Sequence, residues 1–561
     1  MDFKMENINK KTVGVIAAIL LGIIVVFFVT NKSRIVSENS KSYKKGAEYF
    51  YQGDYDKAIK EYEKIKTDEL KDNNKTLAWK NIKIAEMYSV KGDIDNFNKY
   101  IQLAKNTANK DGEILNYIIF SEFINGNIDK ALQEGQLYLK DNYENKNLIK
   151  TMIAVYMAND KKDEAEKLIR NYKIDETSAY ETAEYARLLM LIGDMDEGFA
   201  KLKTAWEIDK DEYKIYDVLA QEVVYNKDNI IESIKKLQEQ NPQEASYKMW
   251  LAKIYSLNLK TCEEAQKLVK EVEQKDVGKI EIKLIKAAVL QNLDNNDEAD
   301  KLINEVINDN KDDYRVMHTA GWHYLKENEL DKAVEYCNKS IEKNKDYPDN
   351  YAFLMPEILK RKDQTHAAEA YFRTGMLKEP YNYNILGNAA SYYWYGTYSS
   401  EKALEYFKLV SSIKPSIPEI KYNIALIYFN EEKNEETVEM LKQCINLKED
   451  SIKYHRTLGT VYLMMGKSDE GIEEIRRAYK QNQFDILTLN NAGCYYIMYT
   501  NDFHRGYYNL KKAVDGISED TNEYTKKVIK DNFNKVKNII EKIEKGKANE
   551  SIKIPDFRLL Y

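Results

Sequence analysis

A small residue recurs along this chain at intervals close to 34 residues, and this regularity constrains the fold more than any other feature. Most of the fourteen positions hold Gly or Ala, and the series runs through Gly46, Ala85, Ile119, Ile153, Ala186, Ala220, Ala252, Ala287, Gly321, Pro356, Ala390, Ala425, Gly459 and Gly493. A tyrosine follows three residues later at nine of them. A period in this range is typical of proteins that stack one supersecondary unit many times, so we expect a repeat protein.

The composition restricts that unit to helices. The 561 residues include only 7 Pro and 22 Gly, too few for the turns of a β-rich protein or for a collagen-like fibre. Apolar residues make up 43%, which is enough for a packed core and argues against a disordered chain. Because one helical hairpin cannot bury its own apolar face, we expect the units to stack, with contacts only between neighbours.

The spacing within the units resembles the tetratricopeptide repeat, a 34-residue helix–turn–helix family. The residues that carry the resemblance most completely are Gly46, Tyr49, Gly53, Ala58 and Tyr62 in one unit and Ala368, Phe372, Gly375 and Pro380 in another. The resemblance implies an all-α fold, a right-handed α-α superhelical solenoid of about 14 helix–turn–helix repeats over residues 40–515. Small residues would let the two helices of a unit approach closely, with bulky residues beside each contact.

Some parts of the array depart from the pattern. Repeat six, residues 212–241, keeps Ala220 but little else, and Pro356 falls inside a predicted first helix, where we expect a kink or an early break. Residues 516–545 form a charged amphipathic pattern that predicts a capping helix. The tail, 546–561, either packs across the final repeat or serves as a linear motif, and its apolar end favours packing.

An uncharged apolar run at residues 13–29 precedes the repeats. With its flanking threonines it would span about 28 Å as a helix, close to the hydrocarbon thickness of a bilayer. A cleaved signal peptide is the competing interpretation, but Phe27 to Asn31 make a poor cleavage site. We therefore predict an N-terminal tail at 1–11, a transmembrane helix at 12–30 that contacts the lipid bilayer, and a juxtamembrane linker at 31–39.

The orientation of this single-pass cell-membrane protein stays open. Lys10 and Lys11 lie next to the span, as in a signal anchor whose following domain is extracytoplasmic. Five cations after the span and four unpaired cysteines favour the opposite side. We lean slightly towards an extracytoplasmic solenoid.

No catalytic motif, cofactor motif or metal-ligand spacing is present in the sequence. Gly466-Lys467-Ser468 resembles the end of a phosphate-binding loop, but Val461 stands where that loop needs its first glycine. The five histidines never pair four residues apart, and the cysteines lie far from one another. We expect no enzyme activity, no cofactor and no metal site.

The resemblance implies that the first helix of each unit lines a concave groove. The groove positions of the family fall here on Arg315, His318, Trp322, Asn350, Phe353, Lys360, Asn384, Trp394, Tyr422, Phe429, Arg456 and Asn490. Aromatic rings interleaved with amide and cationic groups suit an extended peptide, because rings supply contact area and amides bind its main chain.

These observations predict a membrane-anchored, non-enzymatic scaffold that binds a protein or peptide partner in the groove. The alternative is an accessory factor for cell-envelope polysaccharide or glycan assembly or export, since tyrosine-rich grooves can stack sugars. RNA binding is disfavoured by the net charge of −7, because phosphate contacts need clustered cations. Partner identity and oligomeric state stay open.

Overall fold

A computed structural model describes residues 34–66, 73–275, 277–544 and 553–561, and the regular elements in those ranges are all helices. They belong to two compact units, of which the first ends at Lys414 and the second begins at Pro415. The predicted anchor at 12–30 lies outside the described residues. Within the described ranges, no helix has both the length and the apolar character needed to cross a membrane.

The first unit consists of helices that alternate along the chain as first and second members of hairpins. Its α-helices are α1 (Arg34–Tyr51), α2 (Tyr55–Glu63), α3 (Asn73–Val90), α4 (Ile94–Thr107), α5 (Gly112–Ile124), α6 (Ile128–Asp141), α7 (Lys146–Ala158), α8 (Lys162–Arg170), α9 (Ala179–Ile192), α10 (Met195–Ile208), α11 (Tyr213–Gln240), α12 (Ala245–Ser256), α13 (Cys262–Val272), α14 (Glu281–Asn292), α15 (Asn296–Asp309), α16 (Tyr314–Lys326), α17 (Leu330–Lys343), α18 (Met355–Arg361), α19 (Ala368–Lys378), α20 (Tyr383–Ser391) and α21 (Ser400–Ile413). Short 3₁₀ turns precede α13 and α19, and π turns occupy Asn350–Leu354 and Tyr392–Gly396.

The second unit contains three hairpins and a longer final helix. Its elements are α22 (Pro418–Asn430), α23 (Asn434–Leu447), α24 (Ile452–Met464), α25 (Ser468–Gln481), α26 (Ile486–Thr500), α27 (Phe503–Asp515) and α28 (Glu523–Glu544). The last of these lies within the range predicted for a capping helix. Residues 553–561, which follow it after an undescribed gap, adopt no regular secondary structure.

In some hairpins a glycine followed by an aspartate forms the turn between the two helices. Gly53 and Gly92 adopt left-handed backbone angles, with φ of 75° and 73°, which end the first helix at little steric cost. The following residues, Asp54 and Asp93, each accept a hydrogen bond from a main-chain N–H of the next helix. Gly466, part of the motif that resembles a phosphate-binding loop, is another such turn residue, with φ of 75°.

The small residues of the repeat lie where helices of one hairpin meet. A Cβ atom on Gly459 would come within 2.8 Å of the main-chain oxygen of Gly471, so α24 and α25 contact each other backbone to backbone. In the first hairpin, a Cβ atom on Gly46 would come within 2.7 Å of the Tyr62 ring. The predicted pairing of small and bulky positions is confirmed at these contacts.

The two predicted irregularities have visible causes. Repeat six is one long helix, α11, interrupted at Asn226, where φ is −138°. At Pro356 the helix changes from a π turn to an α-helix, because proline has no N–H to donate to the carbonyl of Ala352. Asn388 Nδ2 donates to that carbonyl instead, at 2.9 Å.

The prediction that repeats contact only their neighbours is wrong for the first unit. Tyr347 donates to Asp217 at 2.7 Å across 130 positions of sequence, and Tyr51 hydrogen-bonds Thr374 at 2.8 Å across 323 positions. Distant repeats of this unit therefore contact each other through polar side chains. The side chains that make these contacts are therefore not free to line a groove for a partner.

Candidate peptide-binding groove

His318, one of the predicted groove residues, is the centre of a buried hydrogen-bond chain. Trp322 Nε1 donates to His318 Nε2 at 3.0 Å, and since an indole N–H can only donate, the histidine proton lies on Nδ1. Nδ1 donates to Asn350 Oδ1 at 2.8 Å, and Asn350 Nδ2 donates to Ser340 Oγ at 2.8 Å. Burial lowers the pKa of His318 to about 4, which keeps the imidazole neutral at pH 7. His318 and Asn350 therefore serve as internal partners of the first unit.

Arg315 and Asn384 are also engaged inside the first unit. Arg315 Nη1 donates to the main-chain oxygen of Asp211 at 2.6 Å, and its Nε donates to Asp313 at 2.8 Å. Asn384 is buried in the first turn of α20. His318, Asn350 and Asn384 are therefore buried and do not form the solvent-facing surface that the sequence predicted. Arg315 is half-buried, because it binds Asp211 of a distant repeat.

Part of the predicted groove in the first unit keeps access to solvent. Lys360 is exposed, and the side chains that remain half-exposed are Trp322, Phe353 and Trp394. The Trp394 ring lies 6.1 Å from the exposed Tyr395 ring. Contact of these side chains with a partner stays a prediction.

A buried polar cluster on α9, α11 and the turn before α20 joins distant repeats of the first unit. Lys214 and Glu379 form an ion pair, and both side chains are almost inaccessible. Burial raises the pKa of Glu379, but Lys214 and Arg187 outweigh that effect and hold the pKa at about 2. Gln221 Nε2 donates to Asp349 at 2.7 Å, and burial raises the pKa of Asp349 to about 6. These contacts hold α9 and α11 against the residues that precede the π turn Asn350–Leu354 and against those that precede α20.

In the second unit, Tyr422 and Arg456 support neighbouring helices. Tyr422 is buried, with its hydroxyl 3.2 Å from Thr457 Oγ1. Arg456 Nη1 donates to Asp485 at 2.8 Å, and Asp485 caps the start of α26 by accepting from the Thr488 N–H. Arg456 thereby orients the helix that carries Asn490.

Phe429 and Asn490, the remaining predicted residues, both contact segment 553–561. The Phe429 ring lies 5.2 Å from the Tyr561 ring in an edge-on arrangement. Asn490 Nδ2 donates to the main-chain oxygen of Arg558 at 3.0 Å. The side chains that contact this segment lie on the first helices of three successive repeats and on α28, and we call this surface the groove: Phe429, Thr460, Asn490, Asn491 and Asn532.

Two asparagines of the groove bind the main chain of the segment through both of their amide atoms. Asn532 accepts from the Arg558 N–H at 3.1 Å and donates to the Arg558 oxygen at 2.8 Å. Asn491 accepts from the Leu560 N–H at 2.8 Å and donates to the Leu560 oxygen. Paired positions two residues apart are what an extended chain presents along one edge. The groove therefore binds segment 553–561 through the backbone of residues 558 and 560.

The side chains of the segment divide between apolar pockets and solvent. Phe557 is 3% exposed and packs in a cluster with Val536 and Ile539, and Leu560 is 6% exposed and packs with Leu489 and Ile529. The Arg558 side chain, in contrast, is exposed. Leu559, which lies between them in sequence, is half-buried and packs against the cluster of Phe557. The two most deeply buried side chains of the segment are thus three residues apart, while the residue after the first faces solvent.

The sequence did not predict three of the groove residues, which are Thr460, Asn491 and Asn532. Thr460 Oγ1 accepts from Asn491 Nδ2 at 2.8 Å and so holds that amide in place. The consecutive Asn490 and Asn491 in a first helix were the available signal, because two adjacent amides are unusual in the core of a helix. Asn532 lies in α28, outside the repeats, so no repeat position predicts it as a groove residue.

Titratable residues in the described part of the chain form no site for a metal. No group of three or more His, Cys, Asp or Glu side chains is arranged there to hold an ion. The four cysteines are free and buried. Burial raises the pKa of the Cys494 thiol, which lies 3.8 Å from the main-chain oxygen of Arg558.

Comparisons with known proteins agree with a helical repeat fold. Residues 418–451, which include α22 and α23, match the family model of the tetratricopeptide repeat. No curated protein matches the chain.

Among solved structures, the chain is similar to Naa15/Naa10 bound to HypK-THB, with 12% identity over 96% of this chain and 98% of that one and a TM-score of 0.40. It is similar to yeast Tom70, with 13% identity over 85% of this chain and 96% of that one and a TM-score of 0.36. It is also similar to the APC/C hetero-tetramer Cut9–Hcn1, with 13% identity over 86% of this chain and 98% of that one and a TM-score of 0.32.

Proposed function

We propose that this chain, which carries a tetratricopeptide repeat within a longer array of helical hairpins, is a membrane-anchored, non-enzymatic scaffold for a protein or peptide partner. One observation carries the proposal: Asn491 and Asn532 bind the main chain of an extended segment in the groove. A surface that pairs with both the N–H and the C=O of alternate residues suits peptides, because these groups are common to every sequence.

The distribution of accessible surface supports binding in more than one place. In the first unit, Trp322, Phe353, Lys360 and Trp394 keep contact with solvent, whereas the buried members of the predicted groove serve the fold. Large aromatic rings are enriched at protein interfaces relative to the rest of the surface. The scaffold would therefore contact partners through the second unit and through this part of the first.

Site-specific photo-crosslinking in cells tests the scaffold. A photoreactive residue is placed at Phe429 or Lys360, with exposed Glu439 on the second helix α23 as the matched control. We expect a partner protein, identified by mass spectrometry, to be linked from Phe429 or from Lys360 but not from Glu439. Equal linking from all three positions, or linking to no protein, would contradict the proposal.

The anchor part of the proposal rests on the apolar run at 13–29 and its length. Flotation on a density gradient compares the full chain with one that begins at residue 34. We expect only the full chain to float with membranes. Protease treatment of intact cells then tests the extracytoplasmic side, on which the described units would be cleaved.

A further inference from the structure

The groove of the second unit is filled by a segment of the same chain, and the fit between them defines the chemistry of a ligand. Asn532 pairs with the backbone of residue 558 and Asn491 with that of residue 560. Such pairing fixes the register of a bound peptide without reading its sequence. The two apolar pockets that receive Phe557 and Leu560 select the sequence most strongly, because these side chains are the most deeply buried of the segment, and Leu559 packs less completely between them.

We propose that segment 556–561 is a displaceable internal ligand, and that the partner is an extended peptide with a Phe and a Leu three residues apart. This inference rests on the scaffold function proposed above and adds the identity of the bound motif and its control. The partner's Phe enters the pocket next to Val536, and its Leu enters the pocket next to Leu489. The residue after the Phe is unrestricted, since the Arg558 side chain faces solvent.

The groove is polar where the peptide backbone passes and apolar where its side chains enter, and this pattern favours exchange between peptides. Asn490, Asn491 and Asn532 are buried beneath the segment, and all three form hydrogen bonds to its main chain. A competing peptide restores these hydrogen bonds completely, because they involve no side chain of the ligand. Apart from the advantage that covalent attachment gives the internal segment, the exchange costs the difference between two sets of pocket contacts.

Covalent attachment makes the internal segment a strong competitor. A ligand joined to its site by a short connection acts at an effective concentration in the millimolar range. A free peptide of equal affinity is therefore largely excluded from the intact chain. A partner gains access when it is presented at high local concentration or contacts further surface outside the groove.

Fluorescence anisotropy with a labelled peptide of residues 553–561 tests the inference. We expect the chain truncated after residue 552 to bind this peptide at least about tenfold more tightly than the full-length chain does. Peptides with Phe557→Ala or Leu560→Ala should lose about tenfold or more in affinity, whereas the Arg558→Ala peptide should bind within about twofold of the original. Equal binding by both chains, or equal losses for all three peptides, would overturn the inference.

A second variant covers the case in which truncation prevents folding. Full-length chain with Phe557→Ala and Leu560→Ala keeps its length but carries a weakened internal ligand, and it should bind the labelled peptide more tightly than the unaltered chain. No gain in this variant would overturn the inference. A concentration-dependent dimer of the full-length chain that the same double substitution abolishes would also overturn it, because the segment would then be exchanged between two copies.

The two proposals fail separately. Peptide exchange without a crosslinked partner would leave the internal ligand intact and remove the scaffold function. Crosslinked partners without peptide exchange would keep the scaffold and remove the displaceable ligand.

Discussion

Lys214 in α11 and Glu379 before α20 form an ion pair although 165 positions of sequence separate them and both side chains are almost inaccessible. The pair ties repeat six to the turn between repeats ten and eleven. Separating the two segments would leave each buried charge without its nearest counter-ion. The pair therefore holds the two segments together.

Removing one member of this pair should destabilise the protein strongly. We expect Lys214→Met to lower the free energy of unfolding by up to about 3–5 kcal/mol, since the buried Glu379 would keep only the more distant Arg187 as a counter-ion. The double variant Lys214→Met with Glu379→Leu should recover part of that loss. Urea denaturation followed by circular dichroism measures both.

The matched control is Lys339→Met, which breaks an exposed pair with Glu335 in the same unit. Its cost should stay below about 1 kcal/mol. A Lys214→Met variant as stable as this control would show that the buried pair does not hold the two segments together.

The buried imidazole of His318 should make stability depend on pH. Its pKa is about 4 in the folded protein because of burial, against about 6.5 in the unfolded chain, so the unfolded chain binds more protons between these values. Stability from this residue is therefore present above pH 6.5 and lost as the pH falls towards 4, by about 3 kcal/mol at most. Asp349 has the opposite sign, because its raised pKa of about 6 favours the folded state at low pH.

Comparison with His318→Gln isolates the histidine from the other groups. Glutamine can accept from Trp322 and donate to Asn350 but does not titrate. Urea denaturation at several pH values between 7 and 4 should show the wild-type protein losing stability relative to the variant. Parallel profiles of the two proteins would contradict the prediction.

The features that the sequence predicted are local, and those that it missed depend on distant repeats. The Gly53 turn and the contact between Gly459 and Gly471 follow from spacing inside one hairpin, which the 34-residue period preserves. Whether Lys214 meets Glu379 depends on small rotations that accumulate over several repeats, and no short pattern records their sum. Asn350 is buried for a different reason: its amide joins His318 to Ser340, and the repeat position alone does not record these side-chain partners.

A larger residue at Gly459 should separate α24 from α25. A Cβ atom there would meet the main-chain oxygen of Gly471 at 2.8 Å, and main-chain atoms of a helix cannot rotate away. We expect Gly459→Val to lower the free energy of unfolding by about 1–3 kcal/mol, although valine is the better helix former. Glu473→Val, on the exposed face of α25, introduces the same residue without the contact and should change stability by less than about 0.5 kcal/mol.

Cys494 reports whether segment 553–561 occupies the groove. Its thiol is buried, and it lies beside the main-chain oxygen of Arg558 and in the same apolar cluster as Phe557. Burial also raises the pKa of this thiol, so the folded protein contains little of the reactive thiolate.

In a chain truncated after residue 552, solvent reaches the position of Phe557, and maleimide labelling of Cys494 should accelerate by about an order of magnitude. Cys262 and Cys337 are buried in the first unit and serve as internal controls, with the labelled peptides identified by mass spectrometry. Equal acceleration at all three cysteines would indicate general unfolding, and an unchanged rate at Cys494 would show that the segment does not shield the thiol.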